Sequence, residues 1–225
     1  MMSIIIFAVK GFDDAQHQCT VTSSLLAYTK RFPNMKVTKA QAQANHAHIV
    51  EIASTLFRER GYDGVGIADL MAAAGFTHGG FYKHFKSKAD LMAEAATCGF
   101  TQTAAKTEGV GIKDFVEYYV SRWHRDARSD GCTMAALSGD AARQSETIKA
   151  TFAAGIDELL AGLEREGSVF GVVDKREARA KAIDILAHAV GAVVLSRACP
   201  DESPLADEIL EVCRAEIRAS LASSD

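Results

Sequence analysis

The residues in this chain whose types and spacing could do chemistry lie together, in Gly75-Phe76-Thr77-His78-Gly79-Gly80-Phe81-Tyr82-Lys83-His84-Phe85-Lys86-Ser87-Lys88. This run holds three lysines, two histidines and no acid. Ammonium groups, a phenol and imidazoles along one short segment suit the repeating oxyanions of a phosphodiester backbone. Phe81 and Phe85 stand four apart, as on one face of a helical turn, which leaves Tyr82, Lys83 and His84 to point elsewhere. Just upstream, Ile67, Leu70, Met71 and Ala74 fall at i, i+3, i+4 and i+7, the apolar stripe of a short helix, and Gly75 offers it a left-handed cap. A short helix, a glycine turn and a second helix with a basic, aromatic outer face make a helix-turn-helix, a DNA-reading element.

The elements around this segment follow a known pattern. The run IVEIASTLFRERGYDGVGIADLMAAAGFTHGGFYKHFKSKADL, residues 49–91, resembles the DNA-binding domain of the tetracycline-repressor (TetR) family of transcriptional regulators. Leu56-Phe57, Gly61-Tyr62, Ala74-Gly75-Phe76-Thr77, Gly80 to Phe85 and Ser87 to Leu91 carry the match. The resemblance implies that Tyr82 hydrogen-bonds a phosphate. Thr77, Lys83, His84 and Lys88 are further candidates for backbone contacts, while His78 and the backbone at Gly79 and Gly80 would lie nearest the base edges. Thr77 sits where an N-cap belongs. The two glycines would let the backbone lie close to DNA, although simple turn chemistry also explains them. Ser87-Lys88-Ala89-Asp90 matches a capping box that starts the next helix with its amides aimed at a phosphate. Met71 stands where the family usually has a small alanine, so its thioether needs wider helix spacing or small neighbours such as Ala74. Phe76, Phe81 and Phe85 are assigned to the core of this small unit.

Length and composition bound the rest. A chain of 225 residues can bury a substantial core as one large domain or two small ones. Three prolines, plentiful alanine and many apolar stripes of helical period predict an all-α fold. It is divided into a helix-turn-helix DNA-binding domain at 39–87 and a helical effector-binding and dimerisation domain at 88–225. Residues 1–38 are expected to be an N-terminal arm, or else translation starts at Met35 and only the first 34 precede it. The net charge is −4, yet the acidic excess lies beyond residue 100, so a local basic patch sits on an acidic body. Five cysteines without a C-x-x-C pair argue against structural zinc and a disulfide framework and point to the cytoplasm. No apolar run approaches the ~20 residues of a membrane span. His46 and His48 are two apart and cannot share a metal through one helical face; they are expected to be solvated near phosphate. No metal or cofactor is expected.

Beyond the linking helix at about Lys88–Ala105, Thr107 to Gly111 reads as a hinge loop. A helix over about Lys113–Arg128 would then show Phe115, Tyr118, Tyr119 and Trp123 on one wide aromatic face, as core or as ligand box. The family resemblance implies a cavity for a small apolar effector, and Met134 and Phe152 join those four aromatics as its candidate lining. Cys132 is either an inert packed thiol or a sensor of oxidants or electrophiles. Ile148 to Leu163 trace another amphipathic helix, Asp174-x-x-Glu177 starts the next, and Ser203-Pro204 starts the last. The apolar stretch Ala187 to Leu195 and the in-phase Leu205, Ile209, Val212, Cys213, Ile217 and Leu221 suit a two-fold four-helix interface. The function expected is a homodimeric regulator, a repressor released from a palindromic double-stranded operator by a small molecule. The alternative is a helical ligand-binding or adaptor protein without DNA binding. No H-E-x-x-H, G-x-S-x-G, Walker loop or dinucleotide fingerprint points to an enzyme.

Overall fold

The computed structural model describes residues 38–166 and 174–222; the expectations for the residues before Thr38 lie outside them. Helix α1, Lys39–Arg60, is capped by Thr38, whose hydroxyl accepts from the Gln41 amide at 3.1 Å, and it closes at Gly61, whose amide reaches the Phe57 carbonyl at 2.8 Å. Ile49, Ala53 and Phe57 are fully buried. Ile52 and Leu56 are only half-buried, while Val50, Ser54 and Arg58 are buried in their place. The helix is covered along a second line because α3 and the body behind it pack there.

Helix α2, Ile67–Ala73, ends as its sequence predicts. Gly75 takes φ +80°, and the Phe76 amide bonds back to the Met71 carbonyl at 2.8 Å. That left-handed turn costs a residue with a Cβ ~1 kcal/mol or more. The third element is not the α-helix expected. His78–Lys83 is a six-residue 3-10 helix, and the Thr77 hydroxyl makes no capping bond to it. Gly79-Gly80 weakens α-propensity by ~1 kcal/mol per residue, and 3-10 geometry serves such short pieces.

Helix α3, Lys88–Thr107, runs from this unit into the body, with Ser87 accepting from the Asp90 amide at 3.1 Å. A loop with Gly109 at φ +71° follows. The single helix expected over 113–128 is two: α4, Ile112–Tyr119, and α5, Arg122–Asp126. Ser121 makes the break. Its hydroxyl donates to the Tyr118 carbonyl at 2.6 Å and accepts from the His124 amide at 3.1 Å, closing one helix and capping the next. Then come a 3-10 turn at Arg128–Asp130, α6 (Thr133–Ala141), α7 (Glu146–Glu166), α8 (Lys175–Ala198, capped by Asp174) and α9 (Pro204–Ala222). No strand occurs among the described residues.

One continuous core joins these helices, from Ile49 in α1 to Leu221 in α9. Helices α3 and α7 approach closely at Gly155, where a Cβ would stand 2.4 Å from the Phe100 ring. Phe100 fills that space and meets Phe152 edge-on at 5.3 Å. Helices α8 and α9 pack along each other, pinned where the buried Ser196 hydroxyl donates to the Ala206 carbonyl at 2.8 Å.

Candidate nucleic-acid interface and effector cavity

The 3-10 helix has two distinct sides. Phe81 is fully buried and Phe85 nearly so, stacked on each other at 5.4 Å, whereas Tyr82 is 67 % exposed. Thr77, His78, Gly79, Lys83 and Lys86 are exposed as well. Lys86 lies inside the basic run but was not among the expected contacts. A Cβ at Gly79 would meet nothing within 4 Å, so the protein's own packing does not require glycine there. At Gly80 a Cβ would make an ordinary van der Waals contact, 3.6 Å from the Met71 methyl. Met71, fully buried, is thus accommodated beside Gly80 as well as Ala74.

Two of the expected contacts, Lys88 and His84, are half-buried. The Lys88 ammonium donates to the Tyr62 carbonyl at 2.5 Å and sits 5.9 Å from the Phe57 ring centroid. That bond ties α3 to the turn after α1. His84 is half-buried, with its ring 6.1 Å from Phe76 and 6.2 Å from His46. Burial first, then His46 and Lys83, pull its pKa below the ordinary value and disfavour the cationic form. His46 stacks on Phe85 at 4.5 Å and bonds Glu94 at 2.6 Å, with 33 % of its side chain exposed. Among the described residues no group of three or more metal-binding side chains gathers.

In the body a cavity of about 380 Å³ lies between α3, α4, α7 and α8. Phe115, Tyr119, Leu159, Leu163 and Leu186 give it apolar walls, Thr103, Thr107 and Cys132 its polar ones, and the exposed Glu108, Glu158 and Arg165 stand at its rim. Of the six expected lining residues only Phe115 and Tyr119 reach it. Met134 and Phe152 are buried elsewhere in the core. Tyr118 and Trp123 are 44 % and 58 % exposed, stacked on each other at 5.5 Å. The break at Ser121 turns Trp123 off the face it would share on an unbroken helix. Tyr118 stays on α4 yet borders only a small annex of about 30 Å³, which shares Thr103, Thr107, Phe115, Tyr119 and Cys132 with the main cavity.

Buried polar side chains fix this wall. His124 is 1 % exposed; its Nε2 accepts from the Cys132 amide at 3.1 Å, so Nδ1 carries the proton and donates to the Tyr119 carbonyl at 2.8 Å. Burial pushes its pKa down to about 4. Arg125, also 1 % exposed, holds the Ser196 and Cys199 carbonyls at the end of α8 at 3.2 and 3.3 Å, and Arg197 reaches back to the His124 carbonyl at 2.9 Å. From the other side Arg58 of α1 donates to the Ser129 carbonyl at 2.9 Å and the Ser54 hydroxyl at 2.7 Å, three residues short of Cys132.

Residues 49–95 match the family model described as bacterial regulatory proteins, tetR family. The HTH-type transcriptional regulator AcrR of Shigella flexneri is 40 % identical over 57 residues, 25 % of this chain and 26 % of that protein. The HTH-type transcriptional repressor DhaR of Mycobacterium sp. (strain GP1) is 49 % identical over 41 residues, 18 % of this chain and 21 % of that protein. The matched stretch thus spans about a quarter of the length of these curated relatives. The crystal structure of a TetR transcriptional regulator from Chloroflexus aurantiacus covers 81 % of this chain and 96 % of its own, with a TM-score of 0.66 and 24 % identity, a likeness of fold. Residues 49–95 thus match the tetR family of bacterial regulatory proteins, and the chain that carries them shares the all-helical fold of a TetR regulator.

Proposed function

We propose that this chain is a DNA-binding transcriptional regulator, a repressor that leaves a palindromic operator when a small molecule occupies the cavity of its body. The observation that carries the reading is the two-sided 3-10 helix. Phe81 and Phe85 anchor it, while Tyr82, Lys83, His78 and the unencumbered backbone at Gly79 face outward. Residues 39–87 act as the reader and 88–222 as the body. Tyr82, Lys83 and Lys86 meet phosphates and Thr77, His78 and Gly79 approach the groove. Lys88 and His84 serve as supports.

One reader spans few base pairs and carries few charges, so affinity requires two, held one helical turn or a little more apart. Ile183, Val194 and Leu195 on α8 and Leu205 and Val212 on α9 are large apolar side chains exposed on the two last helices, the surface for a second copy. Release then follows from an effector that binds one spacing of the readers better than the other. No helix among the described residues is long and apolar enough to cross a membrane; the place of action proposed is the cytoplasm. The reading is tested by selecting bound duplexes from random DNA and repeating the gel shift with Tyr82→Phe. Loss of one phosphate hydrogen bond per reader should weaken binding about tenfold at unchanged dimerisation. A chain that selects no duplex at moderate salt would instead be a ligand-binding adaptor.

A further inference from the structure

Resting on the reading of a DNA reader and an effector cavity, we propose that α6 links the two, and that Asp140 is the positioning residue through which the body sets the reader. The Tyr62 peptide stands where the chain leaves α1 for α2 and the 3-10 helix, and it is gripped from both sides. Its carbonyl accepts from the Lys88 ammonium of α3 at 2.5 Å. Its amide donates to the Asp140 carboxylate of α6 at 3.0 Å, across 78 positions of sequence.

Gly61 makes room for that carboxylate. It holds φ +74°, and a Cβ there would stand 2.7 Å from Asp140 Oδ2. Tyr62 is buried edge-on to Phe57 at 5.1 Å, and burial first, then the Asp140 charge, push its phenol pKa up. Nothing in α6 itself asks for an acid at this point. Asp140 lies in the last turn of the helix, where the dipole disfavours negative charge, and its other partner, Arg143, is 72 % exposed. The carboxylate is explained by the amide it holds.

The opposite end of α6 belongs to the cavity. Cys132 precedes the helix as its N-cap residue, lines both the cavity and its annex, and has its amide bonded to His124 at 3.1 Å. Nine helical residues, about 13 Å in length, separate that wall from the grip on Tyr62. A hydrogen-bonded helix carries a shift along its axis, so an occupant that displaces Cys132 displaces Asp140 and the Tyr62 amide with it.

Such a link is reciprocal, and bound DNA must be felt at the wall. Hydrogen–deuterium exchange of the full chain, read at peptides covering 131–136, measures this with and without a saturating duplex recovered by selection from random DNA. In the wild type the duplex should slow exchange there about fivefold. In Asp140→Ala that ratio should fall to about one, whereas Asp140→Asn, which keeps an acceptor for the Tyr62 amide, should retain most of it. Should the alanine variant not fold, Asp140→Glu takes its place: its extra methylene does not fit beside Gly61, and the ratio should fall there too. A ratio that survives loss of the carboxylate, even with a lower melting temperature, would make Asp140 a brace and overturn the proposal. A wild-type wall that ignores bound duplex would also overturn it, with the reader left standing. Selection of no duplex at all would remove the reader and the inference with it.

Discussion

The reader and the cavity solve opposite problems. The reader's outward groups come from a dozen consecutive residues, and its chemistry lies on the surface: Tyr82, Lys83 and Lys86 are exposed and the two phenylalanines behind them are not. The cavity draws on α3, α4, α7, α8 and the residues before α6, and the hydroxyls of its half-buried Thr103 and Thr107 are bonded to backbone carbonyls of α3. The first site depends on one small anchor. The second depends on the integrity of the whole body.

That contrast can be broken most sharply at the anchor. Phe81 is fully buried, so Phe81→Ala should cost about 3–4 kcal/mol in chemical denaturation, against no measurable cost for Tyr82→Phe beside it. Equal losses would mean that the segment has no inner and outer side.

The next effect belongs to the body. The His124 pKa is lowered by burial to about 4 from an ordinary 6.5, so between those values the unfolded chain binds a proton that the folded one refuses. Stability contributed by the neutral ring is fully present above about pH 6.5 and is lost as pH falls toward 4, by roughly 3 kcal/mol. His124→Gln should flatten that part of a stability-against-pH curve. A slope that persists unchanged would locate it elsewhere.

The smallest effects separate two lysines. Lys83→Ala should leave stability within about 0.5 kcal/mol and make the salt dependence of DNA binding shallower by about one unit per protomer. Lys88→Ala should do the reverse, lowering stability by about 1–2 kcal/mol through the stranded Tyr62 carbonyl while the salt slope stays as it was. Identical salt slopes for the two variants would undo the distinction between contact and strut.

How much of this was legible depends on whether residues act next to their neighbours in sequence. Gly75, Phe81 and Tyr82 work within one local pattern, and their spacing gave away the turn, the inward side and the outward side. Residue type alone could not say which way Lys88 points, because its partner is the carbonyl of Tyr62, twenty-six residues earlier. The aromatic face was misjudged for a local reason with a visible signal. Ser121 can both end one helix and cap another, and that competition detaches Trp123 from Phe115 and Tyr119. Thr103, Leu163 and Leu186 left no such signal. On amphipathic helices they look like core, and only the meeting of four helices makes them a wall.

Arg58 carries a mechanical corollary. Its guanidinium is held by a carbonyl, a hydroxyl and, at 3.4 Å, the Gln102 amide oxygen, with no carboxylate pairing it among the described residues. Sliding the end of α1 away from Ser129 would strand a cation where water cannot follow, at several kcal/mol. That corner therefore behaves as a weld that holds the end of α1 to the body.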